Sequence, residues 1–140
     1  MIDIKELRIG NIVNYLEDDC NRSASCKRGV ITSLTPKKAI VNGIGIKYCN
    51  LLPINLNEKL IRKIGFDFKR INSTFADFRY KSELLLLEID GYIIDDEKII
   101  SYIRKKNYNN LAETEMKCTS LHELQNCFFD ITNKELEINL

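Results

Sequence analysis

The chain has 140 residues, 44% of them hydrophobic and 29% charged, with a formal net charge of +1 and a single histidine. That length suits one domain or two very small lobes sharing a core, and the apolar content excludes a disordered chain. No apolar run is long enough to span a bilayer, no signal-peptide core opens the chain, and the five cysteines match no secreted disulfide framework. A cytoplasmic location with reduced thiols is the expectation.

In chain order, residues 8–16 predict a strand after a short N-terminal segment. Residues 17–28 are polar and read as a loop. Gly29–Leu34 is a second strand, broken at Thr35-Pro36. A hairpin follows, Ala39–Val41 and Ile44–Tyr48 around Asn42-Gly43, a pair that tolerates the positive φ angles of a type I′ turn. Several short strands in about 50 residues, separated by polar turns, suggest a small curled sheet.

Asn57 caps a helix over Glu58–Ile64, with Gly65 as its stop. Strands are predicted over 66–71, Phe75–Tyr80 and Glu83–Asp95, with Leu84–Leu87 as a doubly covered run and Gly91 as a bulge. Residues 97–106 fit helix or strand, and 114–118 a further strand. Ser120 and Glu123 have capping-box spacing ahead of a helical stripe of Leu121, Leu124, Cys127/Phe128 and Ile131. Leu136, Ile138 and Leu140 alternate as in a half-buried strand.

The fold class is therefore α+β: a small curled antiparallel sheet, SH3-like or Tudor-like, at the N-terminus, packed with a second antiparallel sheet and two helices. The domain reading is a β-barrel-like lobe over 1–56 and an α+β lobe over 57–140. The latter ends in helix 120–132 and strand 135–140, and the two form one compact unit.

Charge is distributed unevenly. Residues 1–82 carry 15 Lys/Arg against 8 Asp/Glu, and residues 83–140 carry 6 against 12. Such a dipolar chain either docks in a fixed orientation on a charged partner or neutralises itself across its own halves.

Three blocks carry a family resemblance: Leu7-Arg-Ile-Gly-Asn-Ile-Val, then Pro53-Ile-Asn-Leu with Ile64-Gly65-Phe66, then Leu121-His-Glu-Leu-Gln-Asn-Cys-Phe-Phe with Lys134-Glu-Leu-Glu-Ile. Together and in this order they resemble a group of short proteins found in Bacteroidota and their phages. The resemblance implies no reaction and no ligand. Its phage association implies a class of role, that of small proteins that bind and disable host defence machinery, including anti-CRISPR proteins. The Cys-containing stretch at 18–28 departs from the group and reads as a contact loop.

No catalytic or cofactor motif is present. His122 reads as a structural or partner-contacting residue, since no local nucleophile or carboxylate motif accompanies it. Cysteine and histidine spacings complete no zinc tetrahedron; Cys49, Cys118 and Cys127 read as small core residues, and Cys20 and Cys26 as exposed ones. The acidic set Glu88, Asp90, Asp95, Asp96 and Glu97 could in principle hold a divalent ion, but Asp95-Asp96-Glu97-Lys98 reads more simply as a solvated turn, with a negative docking rim as its other reading.

The functional expectation is a non-enzymatic binding protein that occupies a surface of a host defence protein or ribonucleoprotein, with RNA as a second candidate partner. The expected contact residues are Arg22, Lys27, Arg28, Lys37, Lys38 and Lys47 on the basic side and Asp95, Asp96 and Glu97 on the acidic side. No metal, cofactor or membrane is expected. The alternatives are a nucleic-acid-binding small barrel and a small enzyme using His122.

Overall fold

The computed structural model of the chain describes residues 2–17, 26–80, 87–95, 98–105 and 115–138. Among these, ten strands form two five-stranded antiparallel sheets, accompanied by two α-helices, so the α+β expectation holds. The chain divides into two compact units: residues 1–54 with 120–126, and residues 55–119 with 127–140.

The first unit is a meander. It comprises β1 (Ile12–Tyr15), β2 (Lys27–Leu34), β3 (Lys38–Val41), β4 (Ile44–Lys47), a 3-10 turn at Tyr48–Asn50 and β5 (Leu51–Leu52). The spatial order is β4-β3-β2-β1-β5, so the last strand returns to the free side of the first. This is a curled five-stranded antiparallel half-barrel. Val13, Tyr15, Ile31, Ala39, Val41, Ile46 and Leu51 point inward at strand period and join Ile2, Leu7 and Tyr48 in one apolar core.

The hairpin turns where expected. Val41 faces Ile44 across a two-residue loop, with φ of 50° at Asn42 and 82° at Gly43. The Asn42 side chain also clasps β2, accepting from Val30 N–H at 3.1 Å and donating to the Arg28 carbonyl at 3.4 Å. Gly29 sits inside that clasp, where an added Cβ would lie 2.5 Å from Val41 Cγ1.

Two expectations for this unit are corrected. The strand predicted over 8–16 is confined to Ile12–Tyr15, because Asn11 Oδ1 accepts from Arg8 N–H at 2.7 Å and folds residues 8–11 into a turn. Ahead of it, Ile4–Glu6 forms a 3-10 turn capped by Asp3. Cys49 is exposed rather than a core residue, since it sits in a 3-10 turn whose flanking Tyr48 and Asn50 are the buried positions. Of the predicted loop, Cys26 is exposed and Lys27 already begins β2; residues 18–25, with Cys20 and Arg22, lie outside the described residues.

The second unit contains α1 (Glu58–Lys63) and a meander of β6 (Phe66–Arg70), β7 (Phe75–Tyr80), β8 (Leu87–Asp95), β9 (Lys98–Lys105) and β10 (Glu115–Cys118). Asn57 caps α1 by accepting from Leu60 N–H at 2.8 Å, and Gly65 leaves it with φ of 100°. Residues 98–105 resolve to strand, because β9 is flanked on both sides by hydrogen-bonded neighbours, β8 and β10. Gly91 is not a bulge: it pairs in register with Ala76 and Ser101, and the irregularity falls between Ile93 and Asp95. Of the Leu84–Leu87 run, residues 84–86 lie outside the described residues.

The helix α2 (Leu121–Thr132) starts in the first unit and ends in the second. Residues 135–138 are not a strand, although Leu136 is buried; residues 139–140 lie outside the described residues. Alternation supplies a strand only where a neighbour accepts its backbone hydrogen bonds, and no strand among the described residues is paired to this segment. No described helix is long and apolar enough to cross a membrane.

Replacing Gly29 by Ala forces Val41 or Asn42 to move. A loss of about 1–3 kcal/mol in urea unfolding is expected, and unchanged stability would show that the clasp is looser than its geometry.

Candidate functional site

The start of α2 is held by side-chain amides. Gln125 accepts from Ile12 N–H at 2.8 Å and donates to the Gly10 carbonyl at 3.0 Å. Asn126 Oδ1 accepts from Asn11 Nδ2 at 2.8 Å and from Arg8 Nε at 3.2 Å, while its Nδ2 donates to the Glu6 carbonyl. Arg8 also donates to the Gln125 carbonyl at 3.4 Å. Gly10, with φ of 96°, permits the turn that presents its carbonyl to Gln125. Asn11 is fully buried and Gln125 nearly so. The blocks Leu7–Asn11 and His122–Asn126, more than a hundred residues apart, are therefore hydrogen-bond partners.

These two blocks and the residues just ahead of them bring together four polar side chains: Glu6, Ser120, His122 and Glu123. Ser120 carries the first helical hydrogen bond on its carbonyl, from Leu124 N–H at 3.1 Å. Its hydroxyl donates to Glu123 Oε1 at 2.9 Å, which leaves the oxygen to accept from His122 Nδ1 at 3.1 Å. The proton on Nδ1 makes Nε2 the lone-pair nitrogen of a neutral ring. Nε2 is buried and makes no hydrogen bond. Its nearest charged neighbour is Glu6 Oε2 at 3.5 Å, outside hydrogen-bond geometry. An orphaned buried acceptor of this kind costs about 1–3 kcal/mol unless something else meets it.

The imidazole is 1% exposed, and that burial holds its pKa below the ordinary 6.5, against the opposing pull of Glu6 and Glu123. Ser120, also 1% exposed, has its proton directed to Glu123 and is closed to solvent. The set therefore has the chemistry of a ligand or structural cluster, not of a hydroxyl nucleophile served by a base. Glu6, His122 and Glu123 each offer one ligand atom within 4.8 Å of the others.

Sequence reasoning singled out His122 but not its neighbours. Ser120 and Glu123 were legible only as a capping pair, and Glu6 carried no signal, because the contact that matters joins opposite ends of the chain.

The basic set is dispersed. Lys27 is neutralised by Glu17 at 2.9 Å, an exposed pair that raises the lysine pKa. Arg28 lies near one end of β2, while Lys37, Lys38 and Lys47 gather near the other, with Lys38 directly opposite Lys47. All are exposed, and Arg28, Lys37 and Lys38 form no ion pair among the described residues. The Lys38 stem lies over Gly45, whose missing Cβ leaves it room. Asp95 ends β8 opposite Lys98; its side chain, and Asp96 and Glu97 entirely, lie outside the described residues. Cys118 and Cys127, in the second unit, place their sulfurs 3.0 Å apart.

Gln125→Ala strands the Ile12 donor and the Gly10 acceptor together. It is expected to cost about 2–5 kcal/mol in chemical denaturation; a loss below 1 kcal/mol would mean that water replaces the amide. For His122, burial favours the neutral ring in the folded state, so the unfolded chain takes up the proton first. Stability is then complete above about pH 6.5 and declines as pH falls below that value and through the lower folded pKa. His122→Gln should flatten the upper part of that decline, ahead of carboxylate titration, in melting curves recorded from pH 7.5 to 5. No family model matches the chain, and neither a curated protein nor a solved structure is significantly similar to it.

Proposed function

We propose that this protein is a binding module that acts by covering an acidic or phosphate-bearing surface of a partner, and that it carries out no reaction on a substrate. The observation that carries this reading is the lysine cluster at one end of the half-barrel, where Lys38 and Lys47 face each other across β3 and β4 beside Lys37. Lys37 and Lys38 are exposed and form no ion pair among the described residues, so their charge is open to an acidic or phosphate-bearing partner. Gly45 supports this reading, because its missing Cβ leaves room for the Lys38 stem and ammonium beside the edge strand.

Small SH3-like sheets present such an edge as a rigid platform, so charge on it sets approach and orientation, while buried anchors set affinity. The partner class implied by the family resemblance, a host defence ribonucleoprotein, offers both acidic protein surface and exposed phosphates. Direct binding to RNA is the second reading, favoured by the same three lysines and by the exposure of Arg28 on the same sheet.

The test compares the tagged chain with a Lys37→Glu, Lys38→Glu, Lys47→Glu variant of equal melting temperature. Capture from host extract should retain a partner on the wild type and lose it on the variant. Ribonuclease treatment that abolishes capture would favour the RNA reading. In that case the dependence of log K on log salt for a single-stranded RNA should be shallower by about 2 in the variant. Equal capture by both proteins would overturn the role of this edge.

A further inference from the structure

We propose that Glu6, His122 and Glu123 form a binding site for one divalent transition-metal ion of the zinc class, held by two carboxylates and one imidazole. One atom from each residue lies within 4.8 Å of the others. A carboxylate cluster alone would mean little, since exposed acids gather without any ion. The independent observation is His122 Nε2, which is buried, makes no hydrogen bond and lies 3.5 Å from Glu6 Oε2 within the cluster.

The spacing suits a bound ion better than a shared proton. A proton shared between imidazole and carboxylate draws nitrogen and oxygen to about 2.7–2.9 Å. The observed separation is 3.5 Å. Two ligands on one tetrahedral zinc, each about 2.0–2.1 Å from it, stand about 3.4 Å apart. Ligand atoms spread over as much as 4.8 Å must therefore draw together by up to about 1.4 Å to share a tetrahedral ion. Glu6, 51% exposed on a 3-10 turn, is the side chain free to do so.

The surroundings match those of a metal-bound imidazole. Such rings donate their second nitrogen to a fixed acceptor, which sets the tautomer. Here Nδ1 meets the Ser120 oxygen, and Ser120 in turn bonds Glu123, so one hydroxyl orients two of the three ligands. A nitrogen and two carboxylates suit zinc, cobalt or manganese better than magnesium, which prefers an all-oxygen shell. The helix N-terminus disfavours a cation there, and two carboxylates are the charge needed to offset it. The remaining coordination positions would be taken by water on the exposed Glu6 side.

The experiment titrates the metal-stripped full chain with Co²⁺ and reads visible ligand-field absorption, then competes with Zn²⁺ and counts bound zinc after dialysis. One ion per chain, with no thiolate charge-transfer band in the near ultraviolet, is the expected result. Glu6→Gln, at an exposed position that leaves folding intact, should weaken binding at least 100-fold, and Ser120→Ala about 10–100-fold. Absence of binding in the wild type, undiminished binding in Glu6→Gln, or a thiolate band pointing to the cysteines would each overturn the proposal. Its failure would leave the lysine-edge reading untouched, because Glu6→Gln changes none of the lysines.

Discussion

The first unit depends on one carboxamide. Strand β1 runs over Ile12–Tyr15, but β5 pairs only with its last two residues, Asn14 and Tyr15. The start of β1 thus has an open side, on which a donor and a nearby acceptor would be left bare in a buried place. Gln125 meets both, accepting from Ile12 and donating to Gly10 with the two ends of its amide. A glutamine side chain carries the same donor and acceptor pair as a peptide unit, so it acts as the missing residue of a neighbouring strand. Helix α2 is thereby joined to the sheet by backbone-like bonds and not by apolar contact alone.

This arrangement changes the meaning of the two sequence blocks that stand out at the ends of the chain. Asn11 and Asn126 bond to each other, Arg8 bonds to Asn126, and Gly10 bonds to Gln125. A pair of distinctive blocks invites a functional reading, yet here Arg8, Gly10, Asn11, Gln125 and Asn126 are accounted for by the folding of the other block. Removing the Asn11, Gln125 or Asn126 side chain leaves its polar partners in the other block without their bonds, a cost that a fold role alone explains. The residues that remain unaccounted for by this clamp are the neighbours that take no part in it: the Glu6 carboxylate, His122 and Glu123.

Local chemistry was legible throughout and long-range chemistry was not. The Asn42-Gly43 hairpin, the Asn57 cap with its Gly65 exit, and the onset of α2 at Ser120 all follow from residues within a few positions of one another. The strands of the half-barrel follow from alternation, because one face of each meets the core. Failures cluster where a partner outside the window decides. Alternation at Leu136 and Ile138 leads to no strand, since no neighbour among the described residues pairs with the segment, while the ambiguous 98–105 becomes one because two neighbours do. Ser120 and Glu123 were read as capping backbone, yet the Ser120 hydroxyl turns to side chains, a choice made by the imidazole beside it. Glu6 could not be identified at all, being adjacent to His122 only through the clamp.

The clamp also gives the His122 cluster its asymmetry. Ser120 and His122 are closed to solvent and fixed by mutual hydrogen bonds at the rigid start of a helix, whereas the Glu6 carboxylate is half exposed on a short turn. A site built this way presents most of its geometry in advance and leaves one arm to close, so little ordering opposes binding. Because Glu6 and His122 come from opposite ends of the chain, their juxtaposition exists only in the folded unit. An ion bound there would favour the native state by mass action, by about 2.7 kcal/mol at a concentration 100-fold above its dissociation constant. The cluster would then reinforce the same joint that Gln125 and Asn126 make, adding a bond between the helix and the N-terminal turn at the one position where the polar network leaves an acceptor unmet.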